Sequence, residues 1–165
     1  MKNVKKLVAL LLAAALLLCL CACGEKKSDD PNRFDFDDYE VYYKGACIMY
    51  SESGDDAIVL KFDFTNNSKE AASYGWTIFD EAKQDGTILD SVYVITDLDT
   101  YAGVSDNYFI DAQPGETLEI GIAYKLNGTG EVTMTLSDLL DKNVYTVTAD
   151  PATLERVEND YVTWD

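Results

Sequence analysis

Three segments of this chain alternate apolar and polar residues with a period of two, and nothing else in it constrains the fold as tightly. Across residues 57–65, Ile58, Leu60, Phe62 and Phe64 fall on one side, while Lys61, Asp63 and Thr65 fall on the other. Across residues 116–126, Leu118, Ile120, Ile122, Tyr124 and Leu126 alternate with Thr117, Glu119, Gly121, Ala123 and Lys125. Residues 131–137 repeat the pattern, with Val132, Met134 and Leu136 set against Thr133 and Thr135. Successive side chains of a strand point to opposite faces, so each segment reads as a strand with one face in a core. Residues 39–50, 75–83, 87–96 and 144–148 are rich in Tyr, Val, Ile and Thr and supply further strands.

Turn chemistry separates these strands. Gln84-Asp85-Gly86 and Asn127-Gly128 read as hairpin connections, and Asn66-Asn67-Ser68 and Gln113-Pro114-Gly115-Glu116 as further turns. Residues 97–111 form the long loop with little pattern. Asp150 as cap and Pro151 at a first helical position predict a short C-terminal helix over residues 152–158. About seven short strands spaced by turns predict an all-β fold, an antiparallel β-sandwich. The expected core holds Ile58, Leu60, Phe62, Leu118, Ile120 and Ile122, with Trp76 packed between the sheets.

The first 24 residues belong to targeting rather than to the fold. Lys2, Lys5 and Lys6 form a basic start, and residues 7–18 are an unbroken apolar run of twelve. Twelve helical residues span roughly 18 Å, short of a hydrocarbon core of about 30 Å. The segment resembles a bacterial lipoprotein signal: Leu20-Cys21-Ala22-Cys23-Gly24 matches the lipobox, with Leu20 three positions before the modified Cys23. That resemblance implies cleavage before Cys23 and a diacylglycerol thioether on it. Two acyl chains hold a protein stably on a membrane. The expected organisation is a signal peptide at 1–22, a lipidated Cys and flexible acidic tether at 23–38, a sandwich at 39–149 and a helix or tail at 150–165. The expected location is the extracytoplasmic face of the cell membrane.

Charge and residue usage narrow the function. The leader holds three of the 13 basic residues and none of the 30 acids, so the mature chain carries ten against 30, a net of about −20. That balance argues against nucleic acid as a partner. After processing, Cys23 is lipidated and Cys47 remains, in an apolar run that predicts a buried side chain. The chain contains no His, so it has no His-dependent triad, His metal ligand or imidazole base. No Gly-rich phosphate loop is present. The expectation is a protein that is not an enzyme and holds no cofactor beyond the lipid.

Two weaker patterns concern binding. Asp97 and Asp99 sit two apart in the long loop with Asp106 downstream, and alternate loop carboxylates can aim at one calcium ion. Tyr101 stands where a third acid of an EF-hand belongs and Ala102 where its Gly belongs, so a solvated acidic loop is the favoured reading and no metal is expected. Tyr101, Tyr108 and Phe109 in the same loop are the expected exposed aromatics, a surface for a protein or glycan.

One resemblance reaches the folded part. Phe62-Asp63-Phe64-Thr65-Asn66-Asn67-Ser68, Trp76, the Gln84-Asp85-Gly86 turn and the Gln113-Pro114-Gly115-Glu116 turn before residues 118–126 follow the order of a family of small domains on Gram-positive lipoproteins. The chain resembles the domain-of-unknown-function family numbered 5067, akin to the immunoglobulin-like fold of secreted immunoprotective antigens. The resemblance implies an immunoglobulin-like sandwich and an envelope location, and carries no catalytic residues. The leading expectation is a non-catalytic binding module of the envelope. A structural or accessory subunit of an envelope complex is the alternative, and an acid-pair hydrolase the least favoured.

Overall fold

The computed structural model describes residues 30–95 and 106–159. Among the described residues, eight strands form two antiparallel four-stranded sheets. The first sheet has the order β1 (Arg33–Phe36), β2 (Tyr39–Tyr50), β3 (Asp56–Asn66), β6 (Thr117–Lys125). The second has the order β5 (Thr87–Ile88), β4 (Ile78–Gln84), β7 (Val132–Asp138), β8 (Val144–Ala149). This is the all-β sandwich that the alternation predicts. Ile58, Leu60, Phe62, Phe64 and Ile120 point inward and meet Ile78, Ala82, Val132, Met134, Leu136 and Val147 of the other sheet. Lys61 and Asp63 point outward, as the register requires; Lys44 pairs with Asp63 at 3.2 Å and with Glu119 at 2.5 Å.

Ala57–Leu60 is buried without interruption, although its pattern reads as half-buried. The outer face of this half of the first sheet carries Cys47, Met49, Val59 and Ala123, and Val92, Val94 and Val157 pack over it. The sheet is therefore covered on both sides there. Cys47 is buried, as expected. Of residues 87–96, read as one strand, Thr87 and Ile88 pair with β4 and Leu89 N also donates to Ala82 O. The chain then leaves the second sheet and lies along β6, where Val92 N donates to Ala123 O and Lys125 N to Asp90 O.

Four local expectations are corrected. The acidic tether read up to residue 38 is shorter, because Arg33–Phe36 pairs with Tyr39–Tyr42 as a strand and buries Phe34 and Phe36 against Tyr145. The Asn127-Gly128 turn is not a hairpin. β6 pairs with β3 and β7 with β4, so this turn crosses between sheets. Buried Gln84 holds it, donating to Gly128 O and Gly130 O and accepting from Asn127 N. The C-terminal helix is a single 3-10 turn, Pro151–Thr153, with Asp150 accepting from Ala152 N as the predicted cap. The chain then turns extended because β2 has open edge groups beyond β1: Ile48 N donates to Glu155 O and Val157 N to Ile48 O. The fourth correction, Trp76, belongs to the site below.

Candidate functional site

Ser73 to Ile78 leads into β4 through one helical turn, α1 (Tyr74–Thr77). Counted back from inward-facing Ile78 with a period of two, Trp76 would also face inward. The helical turn changes the count. Positions four apart share a helix face, so Tyr74 and Ile78 both enter the core while Trp76 swings out. Tyr74 is fully buried and Trp76 is 77% exposed. The expected inter-sheet Trp is thus a surface residue, and Tyr74 takes the interior position.

Beside α1 lies a 3-10 turn, Asp106–Phe109. It places Phe109, 62% exposed, with its ring 6.0 Å from that of Trp76. Tyr108 lies half-buried beneath the pair, edge-on to Tyr74 at 5.2 Å and to Phe109 at 4.8 Å. Gly75 makes this seat possible. A Cβ there would lie 2.4 Å from the Tyr108 ring and 2.7 Å from the Phe109 ring. The expected aromatics therefore separate: Phe109 is presented, Tyr108 supports it, and Tyr101 lies outside the described residues. Trp76 is the presented residue that the sequence reading missed. The signal for it was Gly75 between two aromatics, which suits close approach better than a strand interior.

An inward-facing acid anchors the seat. Asp80 of β4 stands opposite the buried Leu136. Its Oδ1 accepts from the Tyr108 hydroxyl at 2.8 Å, and its Oδ2 accepts a short bond from the Tyr124 hydroxyl of β6. Loss of solvation raises the Asp80 carboxyl above its ordinary value, and the tyrosine hydroxyls pull in the opposite direction without cancelling it. Burial and the neighbouring Asp80 charge push all three tyrosines, Tyr74, Tyr108 and Tyr124, upward, so they stay protonated, and Tyr108 and Tyr124 donate to Asp80. Asn107 Nδ2 adds a bond to Glu119 O of β6. This arrangement can hold a rigid aromatic surface. Both Asp80 oxygens are engaged by tyrosine hydroxyls.

Asp97, Asp99, Cys23 and the side chain of Asp106 lie outside what the structure describes. Among the described residues no group of three or more Cys, Asp or Glu side chains is placed to hold a metal ion.

A strand-end unit braces the same end of the molecule. Asn66 is fully buried; its Nδ2 donates to Glu70 O and Ala112 O, and its Oδ1 accepts from Ser68 N. Its backbone binds the Pro-Gly turn, with Gly115 N donating to Asn66 O and Asn66 N to Glu116 O. The Thr-Asn-Asn-Ser and Gln-Pro-Gly-Glu motifs are one structural unit. The family described as Domain of unknown function (DUF5067) matches residues 24–138, which span both motifs. The chain belongs to that family. Solved structures agree with a DUF5067 sandwich. A candidate lipoprotein of Staphylococcus aureus superposes with a TM-score of 0.64 at 16% identity, covering 81% of this chain and 97% of that one. A protein from Enterococcus faecalis gives a TM-score of 0.55 at 14% identity, covering 74% of this chain and 92% of that one. A candidate lipoprotein of Bacillus subtilis gives 0.52 at 8% identity, covering 75% of this chain and 40% of that one. At these identities the likeness concerns the fold. No curated protein matches the chain.

Proposed function

We propose that this chain is a lipid-anchored, extracytoplasmic, non-catalytic binding module of the cell envelope, and that it engages a protein or glycan partner through Trp76 and Phe109. The observation that carries the reading is the exposure of Trp76, 77%, beside Phe109 on a base locked by Asp80 and its tyrosines. An aromatic side chain left in water forgoes roughly 1.5–3 kcal/mol of burial, while pre-organised aromatics bind with little further loss of freedom. The address rests on Leu20 to Gly24 and is supported by membership of DUF5067 and by the lipoprotein-like neighbours. The absence of His and the engagement of both Asp80 oxygens support a module without chemistry of its own.

The test is retention on isolated envelopes. Unlipidated mature chain should sediment with them, and Trp76→Ala with Phe109→Ala should lower the retained fraction about tenfold at unchanged melting temperature, the signature of a hot-spot pair. Equal retention of the variant would remove the aromatic pair from the proposal.

A further inference from the structure

The aromatic pair is one corner of a larger apolar end. Ile78 pairs with Asp138, which sets the β7–β8 turn beside the end of α1. That turn carries Leu139, 72% exposed, and Leu140, 83% exposed. Phe79, Ser137 and Val144 form one cross-strand row on the outer face of the second sheet, next to the turn, and both Phe79 and Val144 are exposed. Six large apolar side chains are therefore left in water at a single end of the sandwich, with the core packed behind them. Scattered exposed apolar residues are ordinary, but a group gathered on neighbouring elements marks an interaction surface.

The rim of this end is acidic. Asp37 and Asp38 at the β1–β2 turn, Asp111 and Asp141 are all exposed around it. Lys142 reaches Asp37, which links that turn to the β7–β8 turn. The whole chain is net −17. Two copies docked through this end would bring like-charged rims together, and an anionic bilayer would meet the same repulsion. A partner with an apolar centre and a Lys/Arg rim meets complementary charge instead.

Resting on the binding-module reading, we infer that the end formed by Trp76, Phe79, Phe109, Leu139, Leu140 and Val144 docks a basic protein surface through an apolar knob. The probes are two synthetic amphipathic peptides of the same apolar pattern, one Lys–Leu and one Glu–Leu, titrated against unlipidated mature chain. The Lys–Leu peptide should bind at least about tenfold more tightly, and its affinity should fall as salt is raised from about 0.05 M to about 0.5 M. Leu139→Ser with Leu140→Ser should weaken it about tenfold, because the apolar centre and not charge alone seats the peptide. Both side chains are exposed, so the variant keeps its melting temperature.

Equal binding of the Glu–Leu peptide would overturn the basic-partner assignment. Undiminished Lys–Leu binding by the double variant would overturn the seat. Self-association of the wild type that the double variant loses would assign this end to a second copy and overturn the inference as well. If envelope retention depends on Trp76 while the peptides are not distinguished, the binding-module reading stands and this inference alone fails.

Discussion

Asp80 shows how one residue carries a pH dependence whose sign can be worked out. Its carboxyl is raised in the folded protein, chiefly by loss of solvation. The folded state then holds that proton more tightly than the unfolded chain does. The Asp80 contribution to stability is fully present below the unfolded value of about 3.9 and is lost as pH rises through the raised folded value. Asp80→Asn removes the titration. Urea unfolding of both proteins from acid to neutral pH should therefore show the wild type losing stability relative to the variant as pH rises, and then levelling. A wild type that gains on the variant over that interval would contradict the assignment. Two aromatic residues give a second contrast at this scale. Phe62 is fully buried, so Phe62→Ala should lower the unfolding free energy by about 3–5 kcal/mol. Trp76→Ala should change it by less than about 1 kcal/mol, since the indole is mostly in water. Denaturant midpoints at constant slope compare the two.

Among the elements, α1 and the strand-end unit decide the shape of the candidate site. Gly75 has the Tyr108 and Phe109 rings where a Cβ would stand. Gly75→Ala should push the 3-10 turn off its seat and cost about 1–3 kcal/mol, as overpacking does. The accompanying change in near-ultraviolet circular dichroism would report the displaced aromatics. Asn66→Ala should cost about 1–3 kcal/mol. It removes the Asn66 amide from Glu70 O, which keeps Ser68 Oγ, and from Ala112 O, which keeps Ala72 N, and it leaves Ser68 N without its acceptor. Thermal unfolding measures that loss. A change under about 0.5 kcal/mol would mean that solvent replaces those bonds and that the motif does not hold this end together.

Across the whole molecule, edges and charge are managed together. The β6 edge is met by Asp90, Val92 and Asn107, and the part of β2 beyond β1 by Glu155, Val157 and Asn159. Covering an edge removes a template for pairing with other chains, and strong net charge adds to that protection. The anchor is tested on the intact cell. Cys23→Ala should release the protein from the membrane fraction or leave it unprocessed. A variant that stays membrane-bound at mature size, with no labelled lipid on the wild type, would overturn the lipid-anchor reading.

The sequence by itself determined which side chains turn inward between the sheets. Period-two alternation fixes the inward set of β3, β6 and β7, since slipping a strand by one residue would put Lys61 and Asp63 in the core. It also determined the Gln84-Asp85-Gly86 hairpin, where Asp85 and Gly86 take the positive φ values that such a turn needs. Only the tertiary structure decided which strands pair. The same turn chemistry at Asn127-Gly128 serves a crossing between sheets, because the partners of β6 and β7 lie elsewhere in the chain. The tertiary structure also decided that Trp76 is outside, that Tyr74 is inside and that Asp80 can face the core. Each depends on groups distant in sequence, among them Tyr108, Tyr124 and the turn carrying Phe109, and local periodicity carries no information about contacts at that separation.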